Sequence, residues 1–283
     1  MISLWVINSL FQKVGKKKIG HKIFLRRLFF YHLLLSLVYY LYALFNPSDS
    51  QYYFRKVVEL YRGPNWSNFY GTSTTFIEWI AFPFIHYLGF SYEAMMALFS
   101  LFGFLGFIFF FSFFKERIRF QFNIFGFDLL VLFFLLPNLH FWSGSFGKGS
   151  VIFLGISLVF YSLNNITKRW RLLLLGAILT YHIRPHIMFV ILASAVVGFA
   201  FSTRGIGWMT RVIMIAISIG AFFLIYQDVL TIVGIDQGEE LSQGLNLTHR
   251  ATELSKATSG IDITSYTLPE QVFTFLFRPL FFD

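Results

Sequence analysis

Residues 74–90 read TTFIEWIAFPFIHYLGF. The stretch is greasy, yet it carries Glu78, Pro83 and His86. Whether it crosses a membrane decides the side of every loop that follows. The lysines near the N-terminus demand a cytoplasmic start by the positive-inside rule. If 74–90 stays in the interface, the basic loops KERIRFQ (115–121), TKRWR (167–171) and STRGIGWMTR (202–211) are all cytoplasmic. If it crosses, all three move outside and break the rule. Residues 47–92 are therefore expected to form a large external loop containing an in-plane or re-entrant helix.

Composition points the same way. Of 283 residues, 56% are hydrophobic and only 13% charged, against roughly a quarter charged in an ordinary soluble domain. So little charge cannot clothe a soluble surface, which implies an integral membrane protein. The absence of cysteine excludes disulfides, thiol nucleophiles and Cys-based metal sites. The formal charge of +9 sits in short clusters between apolar runs, with no DNA- or RNA-binding motif, so no nucleic-acid partner is expected.

A spanning helix needs roughly 20 mostly apolar residues. Candidates are 28–46, 93–114, 124–142, 150–164, 172–183, 187–203 and 209–233. The expected fold is all-α: a polytopic transmembrane bundle of about seven spanning helices plus the in-plane helix. It divides into a basic cytoplasmic segment (1–27), a transmembrane domain (28–233) and an external C-terminal segment (234–283). The basic residues of the first segment follow a short apolar stretch, unlike a cleaved secretory signal, so no cleavage is expected. The end of the chain resembles the approach to another helix, and the expectation is that the chain is a fragment or a core without its later helices.

The external face gathers the unusual polar residues. Asp49 follows 28–45, a run with no acid, lysine or arginine and a single histidine, His32. A carboxylate at the rim of a membrane cavity is suited to take a proton from a hydroxyl. The same SDSQYYF stretch also suits a helix cap, with Ser48 or Asp49 as cap, and the two roles are compatible. Lys148 lies in SGSFGKGS, where small residues leave backbone N–H groups open to an anion, without Walker A spacing. Arg184 in YHIRPH is a cation between two apolar helices, against the positive-inside trend, and a guanidinium matches a phosphate through two N–H groups. His182 and His186 flank it. Pro185 breaks the helix between them, so no metal site is assigned; no cofactor is assigned either, with a divalent cation left open. Arg278 repeats the Arg-Pro pattern in FLFRPLFF. Glu78 and His86 either flank the same cavity or face lipid headgroups. Asp128 is expected to pair with Arg117 or Arg119. Together these residues outline an external cavity with one acid and several cations suited to a phosphate or pyrophosphate.

A first helix, an external SDSQYYF acid loop, an in-plane helix and then helices joined by short loops resemble the GT-C superfamily of membrane glycosyltransferases, which use polyprenyl-phosphate-linked sugars. LPNLHFWSGSFGKGS, IRPH and LFRPLFFD also resemble uncharacterised bacterial membrane proteins of polysaccharide loci. The resemblance covers the layout of 28–283. Asp49 matches the family's first-loop acid by position, while the adjacent second acid of many members is replaced by Ser48 and Ser50. The resemblance implies a multi-pass protein of the bacterial cytoplasmic membrane with its N-terminus inside. A lipid-linked sugar would be the donor, a glycan or lipid the acceptor, and cell-surface polysaccharide or glycolipid the product. Asp49 would be catalytic, and Lys148, Arg184, His182, His186, Arg278 and Glu78 would bind substrate. The rival expectations are an O-antigen or exopolysaccharide polymerase and a lipid-linked sugar flippase.

Overall fold

The computed structural model describes residues 19–59, 66–118, 123–124, 127–201, 207–233, 267, 269–270 and 273. The chain is all-α: among the described residues, the sole strands are a two-residue antiparallel pair that matches Asn123 with Asp128 and Ile124 with Phe127.

The helices in chain order are α1 (Ile19–Phe45), α2 (Asp49–Glu59), α3 (Thr74–His86), α4 (Tyr92–Arg117), α5 (Leu129–Phe134), α6 (Pro137–Ser143), α7 (Lys148–Leu163), α8 (Ile166–Ile183), α9 (Pro185–Ala200) and α10 (Trp208–Val233), with a 3-10 turn at Trp66–Phe69. Among the described residues two helices, Lys22–Phe45 and Tyr92–Arg117, are long and apolar enough to cross a membrane.

Three boundaries differ from those read in the sequence, each for a local reason. α1 begins at Ile19, well before residue 28, because Lys22, Arg26 and Arg27 are good helix formers that lie exposed while Leu25 and Leu28 are buried. The expected span 124–142 is two short helices, α5 and α6. Pro137 has no N–H to continue α5 and disfavours the helical conformation at Leu136, which is extended (φ −61°, ψ 117°). α8 begins at Ile166, ahead of its apolar run, and kinks at Arg169 (φ −118°, ψ 16°). α3, at 13 residues, is about 20 Å long, short of the roughly 30 Å hydrocarbon layer.

α4, α7 and α8 pack side by side. α7 and α8 meet at Gly155 and Gly176: a Cβ on Gly176 would stand 2.7 Å from the Gly155 carbonyl oxygen, so only hydrogen fits at this crossing. One end of the helices is tied together by polar bonds. Arg169 grips Glu116 through two bonds of 2.8 Å, Asn164 Nδ2 donates to Glu116 at 2.9 Å, and Arg117 donates to Asn164. Arg169 also lies 3.8 Å over the Tyr161 ring. Asp128 does not pair with Arg117; its carboxylate accepts from the Leu130 N–H at 2.9 Å and caps α5, while Arg119 lies outside the described residues.

Two apolar clusters fill the interior. One, around Tyr39, Tyr53, Ile77, Phe82, Phe99 and Phe146, lies where α1 gives way to α2. The other joins Leu25, Leu28, Phe104, Phe107 and Phe134. The outer surfaces stay apolar: Phe30, Leu34 and Leu37 on α1, Leu174 on α8, and Ile217, Phe223 and Leu224 on α10 are all exposed.

Candidate functional site

The site is built where α1 ends. Asn46 donates its N–H to the Tyr42 carbonyl, and Pro47 turns the chain into α2. The Tyr52 N–H donates to the Ser48 carbonyl at 3.2 Å, which makes Ser48 the cap and puts Asp49 in the first turn. Asp49 thereby stands at the positive end of the helix, where the first N–H groups lack intrahelical partners. Three bonds anchor this turn. Gln51 reaches back to the Ala43 carbonyl, and buried Ser50 bonds both the Tyr92 hydroxyl at 2.8 Å and Ser48 at 3.0 Å.

Tyr53 is the partner that sequence reading missed. Its hydroxyl donates to Asp49 Oδ2 at 3.4 Å. Burial pushes the phenol well up, and the Asp49 charge adds to this, so Tyr53 remains a donor at neutral pH. The i,i+4 spacing of 49 and 53 was the available signal.

Glu78 does not face headgroups. It is fully buried, and Lys56 Nζ stands 2.9 Å from its Oε1. Lys56 also lies 5.8 Å over the Tyr52 ring. His86, on the same helix, donates Nε2–H to the Val57 carbonyl at 2.9 Å and stacks on Phe82 at 4.3 Å. Both residues therefore bind α3 to α2.

The SGSFGKGS loop is not an open anion nest. Residues 143–147 are all buried, and Phe146 packs edge-on against Phe99 at 4.7 Å. Two of its glycines serve packing: a Cβ on Gly144 would lie 2.3 Å from Ser36 Oγ, and one on Gly149 2.4 Å from the Trp142 carbonyl oxygen. What the loop does present is the half-buried Lys148, at the mouth of α7 and outside the apolar run 150–164. Burial lowers its ammonium below the usual lysine range, and the Arg184 guanidinium lowers it further. The carboxylates of Asp49 and Glu78 act in the opposite sense. Asp49, Glu78, Lys148 and Arg184 thus share one electrostatic neighbourhood.

Arg184 is exposed in the break between α8 and α9 (φ −146°, ψ 85°), with its N–H on the Thr180 carbonyl and its own carbonyl accepting from Ile187. His182 stands two residues earlier, in the last turn of α8. Its Nδ1 donates to the Ile178 carbonyl at 2.9 Å, which leaves Nε2 to accept from the Tyr70 hydroxyl. The Ser73 N–H donates to the His182 carbonyl at 2.6 Å, and Ser73 holds φ 59°, ψ −116°, a conformation that side chains avoid. Phe76 stacks on His182 at 4.8 Å and on Trp79 at 5.8 Å, and Trp79 stacks on Trp66 at 4.5 Å. This aromatic wall flanks the Arg184 turn and was not singled out from sequence, although WSNFY (66–70) is aromatic-rich. His186 lies half-buried in the first turn of α9. Arg278 lies outside the described residues. Among the described residues no three His, Cys, Asp or Glu side chains gather as a metal site.

The chemistry on offer is a carboxylate beside a phenol, a buried ion pair, and two mutually repelling cations, Lys148 and Arg184. Among protein-family models, curated proteins and solved structures, none matches this chain.

Proposed function

We propose that this protein is a multi-pass glycosyltransferase of the bacterial cytoplasmic membrane. It moves a sugar from a polyprenyl-phosphate donor to an acceptor hydroxyl at the external face. The observation that carries this reading is the shared neighbourhood of Asp49, Lys148 and Arg184, drawn from three distant parts of the chain.

The orientation rests on the charges at the opposite end. Lys115, Arg117, Lys168, Arg169 and Arg171 cluster around the α4 terminus and the α7–α8 turn, the end expected in the cytoplasm. The apolar outer surfaces of α1, α8 and α10 suit lipid, and α3 suits an in-plane position because of its length.

In the reaction, Asp49 accepts the proton of the acceptor hydroxyl as its oxygen forms a bond to the anomeric carbon. The bond from that carbon to the phosphate oxygen breaks, and the electron pair leaves with the polyprenyl phosphate. Lys148 and Arg184 stabilise the charge that gathers there. Direct displacement inverts the anomeric centre. Tyr53 and the positive end of α2 orient the carboxylate. The Lys56–Glu78 pair fixes α3 below the site, and the Tyr70–His182 bond positions the Arg184 turn.

The test is transfer from a radiolabelled polyprenyl-phosphate sugar by purified protein. Asp49→Asn is expected to lose about 10²–10⁴-fold in rate, as for removal of a general base. Arg184→Ala is expected to weaken both donor affinity and rate. Full activity in both variants ends this assignment.

A further inference from the structure

His32 on α1 and His140 on α6 are both fully buried, with His32 Nδ1 and His140 Nδ1 3.0 Å apart. The outer nitrogens are both committed. His32 Nε2 lies 3.0 Å from the Ser100 carbonyl oxygen, and His140 Nε2 lies 2.7 Å from the Phe134 carbonyl oxygen. A carbonyl has no proton to give, so each Nε2 must carry one. A neutral imidazole has only one N–H. Two neutral rings would therefore set two Nδ1 lone pairs against each other at hydrogen-bond distance.

We propose that this pair is a proton-binding site, holding one proton between His32 Nδ1 and His140 Nδ1 inside the helix bundle. The proton turns the lone-pair clash into a charge-assisted hydrogen bond. Turning either ring over would exchange its carbonyl bond for a C–H contact. A metal ion does not fit the gap, because two nitrogens at about 2.0–2.1 Å from one tetrahedral ion stand roughly 3.3 Å apart or more.

The surroundings are aromatic faces and carbonyl oxygens, which offset part of the cost of burying a charge. The Phe107 ring lies flat on His140 at 4.0 Å, with its negative face toward the ring. Phe104 stands 5.9 Å from His32, and the two carbonyls supply partial negative charge. The groups facing the pair are Tyr31 and Ser36 from α1, Ser100 and Phe107 from α4, and Phe134 from α5. Tyr31 meets His140 edge-on at 4.8 Å and donates its hydroxyl to the Leu135 carbonyl at 3.0 Å. Ser36 donates to the His32 carbonyl at 2.8 Å. Among these neighbours Tyr31 is the titratable group, and none carries a carboxylate or a fixed cation. The proton thereby fastens α6 to α1, and α6 leads directly into the buried loop that ends at Lys148.

Proton counting gives the test. Above about pH 6.5 two unfolded histidines hold no proton while the folded pair holds one, so stability falls as pH rises. One proton of difference changes the folding equilibrium about tenfold per pH unit. Below that pH the unfolded chain holds two and the folded pair one, so stability falls on the acid side as well. A neutral pair gives no loss on the alkaline side. His140→Asn offers an uncharged N–H near the Nδ1 position and is expected to abolish the alkaline loss. The unfolding equilibrium of full-length wild-type and His140→Asn protein in detergent, from pH 6.5 to 9, should therefore diverge. In parallel, ¹⁵N-histidine spectra of wild-type protein at pH 6.5 should show coupling between two Nδ1 nuclei across the shared proton. Parallel pH curves for the two proteins, or two proton-free Nδ1 signals from this pair, would overturn the proposal. The spectra decide alone if the variant does not fold.

Discussion

Lys56 Nζ approaches the wholly buried Glu78 to 2.9 Å, and this pair joins α2 to α3 beneath the site. Breaking a buried ion pair from one side leaves a charge without compensation. Lys56→Met is expected to destabilise the fold by about 3–5 kcal/mol. Lys56→Met combined with Glu78→Gln should recover most of that loss. Unfolding midpoints of the single and double variants check it, and equal losses in both would show that the pairing contributes little.

Lys148 offers a pH signature. Burial and Arg184 depress its titration, so the ammonium is lost at lower pH than for an ordinary lysine near 10.5. The cationic form is the low-pH form, so polyprenyl-phosphate binding should weaken as pH rises toward that titration. Stability moves the other way: between the folded and unfolded lysine values the unfolded chain binds more protons, so this group's contribution rises with pH. Lys148→Arg keeps its charge and should shift the binding loss to higher pH. Binding of labelled polyprenyl phosphate from pH 7 to 10 measures both proteins.

Ser73 stores strain next to His182. At φ 59° and ψ −116° a residue with a Cβ costs about 1–3 kcal/mol. Glycine removes that cost but adds about 0.5–1 kcal/mol of unfolded-chain freedom. Ser73→Gly is therefore expected to stabilise by about 1 kcal/mol, read as a raised melting temperature. A lowered one would show that the serine is held without strain.

The α7–α8 crossing tolerates no added carbon. A Cβ at Gly176 would stand 2.9 Å from the Leu158 side chain as well as 2.7 Å from the Gly155 carbonyl. Gly176→Ala should cost about 1–3 kcal/mol by overpacking. On the proposed function it should also lower transfer activity, because the two cations sit at the ends of these two helices. Melting temperature and transfer rate measured together check both parts.

Much of the helical layout was legible in the sequence because apolar length and charge clusters dominate it. α4 and α7 begin and end within a few residues of their apolar runs. What escaped depended on partners far along the chain. His32 in an apolar run gave no hint of His140, 108 positions away. Glu78 was open to a cavity-lining or a headgroup-facing role because its partner Lys56 stands on a different helix. The glycines around Lys148 suggested an anion nest, whereas Gly144 and Gly149 are needed for close packing. Hydropathy alone makes 124–142 one long span, but Pro137 divides it into two short helices.

The Gly155–Gly176 contact reaches beyond its own neighbourhood. α7 and α8 run from Lys148 down to the Asn164–Asn165 turn and back up to Arg184. The hairpin is a caliper whose jaws are the two cations, and the glycine crossing fixes its gap. One residue inserted into α7 between Lys148 and Gly155 would swing the lysine jaw by about 100° around the helix axis. Natural variation in this hairpin should therefore favour substitutions over changes of length.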